Sequence, residues 1–119
     1  MPPTVDWHER YLQQAGWTSQ TRNYLYEKSS LRSARNILDV GCGTGALLID
    51  LPALTQARIF GLDLSLDASQ QAQDHATSAK IVCGDGHQLP YPEGFFDITF
   101  CHFLLLWVAS PVDVLKEMK

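Results

Sequence analysis

The chain has 119 residues, of which 45% are hydrophobic and 18% charged, and carries a formal net charge of -4. That length fits one domain with a sizeable core and leaves no room for a second, and an acidic balance with scattered Lys and Arg argues against a nucleic-acid surface. The longest nearly apolar run, 98 to 109, is broken by His102 and too short for a bilayer, and residues 1 to 6 lack a basic-then-apolar leader pattern, so a cytoplasmic chain is expected.

Trp7, Tyr11, Leu12 and Ala15 recur at helical spacing, which predicts an amphipathic helix from Trp7 to Ala15, stopped by Gly16. Thr18 or Ser19 can cap a second helix reaching about Lys28, and a polar connection follows from 29 to 36. The two helices precede the first strand.

Ile37, Leu38 and Val40 are apolar and partly β-branched, as suits a strand covered on both faces, and Gly41-Cys42-Gly43-Thr44-Gly45 then turns the chain. A short helix is predicted from Ala46 to Leu51, ended or kinked by Pro52. A glycine turn opening a helix leaves backbone N–H groups unpaired and lets a ligand approach the main chain, which suits an adenosine-containing ligand with an anionic end. The spacing Gly-x-Gly-x-Gly does not meet the dinucleotide fingerprint Gly-x-Gly-x-x-Gly, and Asp39 stands two places before the first glycine.

Arg58 to Leu64 reads as a second strand and Ser65 as the cap of a helix from Leu66 to about Ala76. Asp63 therefore lies at a strand's carboxyl end, 22 residues after Gly41, where a carboxylate can accept from both hydroxyls of a ribose. Its other reading is a partner for the helix dipole. Lys80 to Cys83 is a short third strand leading into the turn Gly84-Asp85-Gly86-His87, and a proline-bearing loop spans 88 to 94. Phe95 to Cys101 reads as a fourth buried strand with His102 at its mouth, and Ser110-Pro111-Val112-Asp113 starts a last helix. Cys42, Cys83 and Cys101 form no Cys-x-x-Cys pair, so reduced thiols are expected and no metal site.

The core Leu38-Asp39-Val40-Gly41-Cys42-Gly43-Thr44-Gly45, with the Gly84-Asp85 turn and the Phe96-Asp97 strand start, resembles motif I and its companions in the class I S-adenosylmethionine-dependent methyltransferases of the small-molecule type. The resemblance implies an α/β fold, a Rossmann-like doubly wound parallel sheet of which the first four strands follow N-terminal helices. It divides one domain into a helical segment, 1–36, and an incomplete cofactor-binding core, 37–119. The family continues with an Arg-Val-Leu-Lys-Pro-Gly-Gly-like segment and three more strands, none of which is in this sequence, so the chain looks C-terminally truncated.

The resemblance also implies roles. Gly41, Cys42 and Gly43 line the methionine and ribose end of S-adenosylmethionine, Asp39 orients its ammonium, Asp63 with Leu64 holds the ribose, and Asp85 with Gly86 meets the adenine; S-adenosylhomocysteine is the product. Tyr11, Gln14, Trp17 and Arg22 are placed to close over the cofactor, although aromatics at helical spacing also serve as core and Asp85 can merely close an Asx-turn. His102 can take a proton from an oxygen or nitrogen acceptor, or can be a polar side chain at a strand end.

The acceptor expected is a small molecule. An alternative is a non-catalytic module, or a fragment of a longer enzyme, that binds S-adenosylmethionine or S-adenosylhomocysteine; a nicotinamide-dependent oxidoreductase is disfavoured by the glycine spacing. The fourth strand lacks its usual neighbour, so self-association through that edge is expected.

Overall fold

A computed structural model describes residues 4–119, so the first three residues of the expected helical segment lie outside it. Strands β1 (Asn36–Val40), β2 (Arg58–Asp63), β3 (Lys80–Cys83) and β4 (Ile98–Phe100) form one parallel sheet in the order β3-β2-β1-β4. Parallel neighbours need crossover connections, and the chain supplies helix α3 (Leu66–His75) between β2 and β3. Helices α1 (Trp7–Trp17) and α2 (Ser19–Lys28) precede the sheet, and α4 (Pro111–Met118) ends the chain.

Both faces of the sheet are covered, which explains why β1 and β2 read as near-continuous apolar runs. Alternation sends Ile37 and Ile59 to one face, where they pack with Leu48, Leu51, Ala72 and Ala76, and sends Leu38, Val40, Phe60 and Leu62 to the other, against Val114 of α4. Ile37, Leu38, Val40 and Leu62 are at most 1% exposed, so each contributes about 1.5–3 kcal/mol of burial. The centre of the sheet thus anchors whatever leaves its carboxyl ends.

Several predicted boundaries hold for the predicted reason. The Ser65 side chain accepts from the Ala68 N–H at 3.2 Å to start α3, and that of Ser110 accepts from Asp113 at 3.4 Å to start α4, with Pro111 in the first turn. Gly16 does not stop α1, which runs through Trp17, and the Thr18 hydroxyl caps nothing because it is bound elsewhere.

Two segments depart from expectation. No α-helix forms from Ala46 to Leu51: the N–H of Leu48 bonds back to Gly45 and that of Ala53 to Asp50, both in i to i+3 fashion, and only Leu51–Ala53 closes as a 3-10 turn. Pro52 offers no N–H and disfavours the α conformation at Leu51, so the six residues never complete a turn of α-helix. The fourth strand is likewise shorter than Phe95 to Cys101. Asp97 Oδ2 accepts from the N–H groups of Arg35 at 2.7 Å and Asn36 at 3.0 Å, a side chain doing what a ladder would, while Phe95 and Phe96 pack edge-on against Phe60.

Candidate cofactor site at the glycine turn

The glycine turn leaves the carboxyl end of β1 and doubles back against β2. The N–H groups of Gly41 and Cys42 both donate to the Leu62 carbonyl, at 2.7 and 3.0 Å, and that of Gly43 donates to Asp63 Oδ2 at 2.8 Å. No helix opens here, and β2 takes up the N–H donors of Gly41, Cys42 and Gly43 itself. Residues 41–43 therefore present no row of free donors to an anion.

What the turn offers is a pair of acids. Asp39 is 2% exposed, and its Oδ1 has no hydrogen-bond partner. Burial, and then the nearby Asp63 carboxylate, push the Asp39 carboxyl well above its usual range. Asp63 is half-buried, with Oδ2 on Gly43 and Oδ1 on the Ser65 N–H at 2.9 Å, and each carboxylate oxygen keeps a second lone pair for another donor. Two acids side by side, one with an unused buried oxygen, call for a cation and for hydroxyl donors.

Two of the turn's three positive-φ glycines bear directly on the site. Gly41 has φ +76°, and a Cβ there would come within 2.7 Å of Leu104 Cδ1; Gly43 has φ +56°, and a Cβ there would lie 3.2 Å from the Tyr11 ring. Tyr11 of α1 thus lies over the turn, and its phenol is pushed up in pKa by burial and then by Asp63. Leu104, which the sequence did not single out, covers Gly41 from the other side. It reaches there because Phe103 adopts φ +61° and swings the chain into a 3-10 turn, Leu104–Leu106.

The other expected residues fall unevenly. Gly86 belongs to the same end of the sheet: a Cβ on it would lie 3.0 Å from Val40 Cγ1, and the Gly84 N–H donates to the Asp63 carbonyl at 2.8 Å. Asp85 closes an Asx-turn, its Oδ1 accepting from the His87 N–H at 2.9 Å and from His87 Nδ1 at 2.6 Å, and these bonds hold its pKa down. His87 Nε2 accepts from the Ser110 N–H at 3.1 Å, which fixes the proton on Nδ1. Leu64 and Trp17 are 74% and 70% exposed, and Gln14 is half-buried on α1.

Arg22 and His102 meet at Thr18. Arg22 Nη1 donates to the Ala15 carbonyl and to Thr18 Oγ1, both at 2.8 Å, and Thr18 Oγ1 lies 2.8 Å from His102 Nε2. Burial, and then the Arg22 charge, lower the His102 pKa, so the ring is neutral at neutral pH. A histidine pair was not foreseen: His8 of α1 and His75 at the end of α3 both bond Thr44. The signal available was only a histidine on the α1 face that carries Tyr11.

A cavity of about 80 Å³ lies away from the turn, between the 89–96 loop and the end of α4, lined by Leu89, Tyr91, Phe95 and Met118 among others. Among the described residues no helix is long and apolar enough to cross a membrane.

Comparison with known proteins agrees with the fold. The family described as "Methyltransferase domain" matches residues 38–119. A malonyl-[acyl-carrier protein] O-methyltransferase of Legionella pneumophila is 33% identical over 88 residues, 71% of this chain and 31% of the relative. An uncharacterised methyltransferase of Schizosaccharomyces pombe is 26% identical over 115 residues, 87% of this chain and 41% of the relative. The chain thus spans less than half the length of these relatives. Among solved structures, the magnesium protoporphyrin IX methyltransferase of Synechocystis with bound S-adenosylmethionine superposes with a TM-score of 0.71 at 20% identity, over 99% of this chain and 60% of that one.

Proposed function

We propose, for a chain that belongs to the methyltransferase domain family, that the turn after β1 binds S-adenosylmethionine and serves methyl transfer to a small-molecule acceptor. The observation that carries the reading is the buried Asp39 carboxylate with an unpartnered oxygen beside Asp63. Leaving a buried acid unpaired is costly, and a ligand cation removes that cost on binding.

The residues fit this cofactor. Asp39 would meet its ammonium, Asp63 would accept from the ribose hydroxyls with the lone pairs that Gly43 and Ser65 leave free, and Gly86 with Asp85 would face the adenine end. Asp85 keeps its Oδ2 for that contact, since the bonds to His87 use Oδ1. The cofactor supplies a methyl group on a sulfonium; this chain's contribution is to bind, align and exclude water, with Tyr11 and Leu104 closing over the turn.

Where the acceptor must lose a proton, His102 is the base in this reading. Its Nε2 faces Thr18, so Nδ1 is the atom left to receive a proton, with Nε2–H donating to a Thr18 oxygen that sends its own proton to the Ala15 carbonyl at 3.4 Å. Cytoplasmic placement and self-association through the outer edge of β4 belong to the same proposal.

Calorimetric titration with S-adenosylhomocysteine tests the reading. Saturable binding, weakened at least tenfold by Asp39→Asn and by Asp63→Ala, is expected; no heat, or heat indifferent to both substitutions, sinks it. Sedimentation at high micromolar concentration checks the edge, where a strictly monomeric chain refutes self-association. For His102→Gln, cofactor binding within twofold of wild type and lost S-adenosylhomocysteine release across a panel of phenols and carboxylic acids would support the base. Release at the wild-type rate would remove it.

A further inference from the structure

The contact between α1 and the glycine turn is made by imidazoles. His8 Nδ1 lies 2.7 Å from Thr44 Oγ1, His75 Nδ1 lies 3.0 Å from the Thr44 carbonyl oxygen, and the two rings stack with centroids 3.7 Å apart at 16°. Thr44 between them is 2% exposed, and Tyr11, three residues after His8 and so on the same helix face, rests on Gly43. The cofactor turn is therefore gripped by one helix that precedes the sheet and another that crosses over it.

A carbonyl only accepts, so His75 Nδ1 carries a proton and its Nε2 is the basic atom. The Thr44 hydroxyl can donate to His8 Nδ1 or accept from it. Both rings can be neutral in this arrangement and attract as a stack. With both protonated, two like charges face each other across 3.7 Å.

We propose that His8, Thr44 and His75 form a proton-sensitive latch that holds α1 and its Tyr11 over the glycine turn while His8 is neutral and releases them when His8 takes up a proton on acidification. The groups acting on His8 are His75 from α3 and Asp6 at the N-cap of α1, while the 41–50 segment packed beneath presents the uncharged Thr44, and Asp63 faces Tyr11 instead. Burial and then His75 lower the His8 pKa, with Asp6 opposing them. The closed form thus binds fewer protons than the released one. Closure is fully favoured above the ordinary histidine value of about 6.5 and is lost as pH falls through the lower value of the closed form.

The latch stands on contacts within this chain, while its consequence, that acid opens the cofactor turn, rests on the function proposed above. Amide hydrogen exchange of the full chain, corrected for intrinsic rates at pH 7.5 and 5.5, reads it without any ligand. Protection across 7–17, relative to 58–63 in β2, is expected to fall at least fivefold on acidification in the wild type and to change less than twofold in His8→Gln and in His75→Gln. An unchanged wild-type ratio, or the same fall in both variants, overturns the latch. Titration with S-adenosylhomocysteine in parallel at pH 7.5 separates the readings: absent binding refutes the cofactor site and leaves the exchange result to judge the latch alone.

Discussion

The carboxyl ends of β1 and β2 and the stretch that follows β4 lie on the same sheet and are built in opposite ways. At the first, β2 takes up the turn's N–H groups and the side chains behind it are fully buried, leaving one acid oxygen unmatched. After β4 the chain carries Leu106 and Trp107 at 75% and 84% exposed, and its one turn is forced by a phenylalanine in left-handed backbone. The difference teaches that a ligand site here is marked by an unmatched buried acid and not by exposed apolar area. Exposed apolar area alone would have pointed past the acids, to the neighbouring stretch after β4.

Substitutions can break or sharpen that contrast. The largest effect is expected from Leu38→Ala, which deletes a fully buried side chain at the centre of the sheet and should cost about 2–5 kcal/mol in urea unfolding. Gly41→Ala comes next. Leu104 can rotate away from the new methyl, but φ +76° cannot be relieved, so a loss of about 1–2 kcal/mol is expected in the same assay. Asp63→Ala removes the acceptor of the Gly43 and Ser65 N–H groups and should cost about 1–2 kcal/mol of stability besides the cofactor affinity, a pairing that β2 mutations away from the turn will not show.

Asp39→Asn should move stability and binding in opposite directions. Because the folded Asp39 carboxyl sits well above its usual range, the folded chain holds a proton that the unfolded chain has released, and stability falls as pH rises from about 3.9 through the raised value. The amide avoids that loss. A higher melting temperature at pH 7.5, none of the gain at pH 3.5, and weaker S-adenosylhomocysteine binding are expected together; equal gains at both pH values would mean that the acid is not strained. The smallest effect belongs to Trp107→Ser, expected to change unfolding free energy by less than about 0.5 kcal/mol and to read only in sedimentation.

The sequence made the centre of the molecule legible because its signals are local. Apolar runs at 37–40 and 58–62, serine caps at 65 and 110, and an acid at the end of β2 each act within a few residues, and each appears where it was read. Apart from the 46–51 helix, which Pro52 prevents locally, the misreadings share a cause, which is competition from a distant partner. Asp97 clips Arg35 and Asn36 and shortens β4, Leu62 and Asp63 collect the N–H groups of the turn, and His102 takes the Thr18 hydroxyl from its capping role. Leu104 could not be foreseen as a cover for Gly41, since nothing in a run of three leucines signals a left-handed residue before it.

Cys42 shows a further side of the acidic turn. Its thiol is buried in the glycine turn itself, and burial, Asp39 and Asp63 together push its pKa far above neutral. A methyl sulfonium is an electrophile, and the thiol within the turn is kept inert chiefly by burial, with the acids proposed to hold the cofactor adding to it. Under the proposed function, recognition and part of that protection would share one pair of acids. A turn that gained an exposed thiolate would have to survive its own reagent.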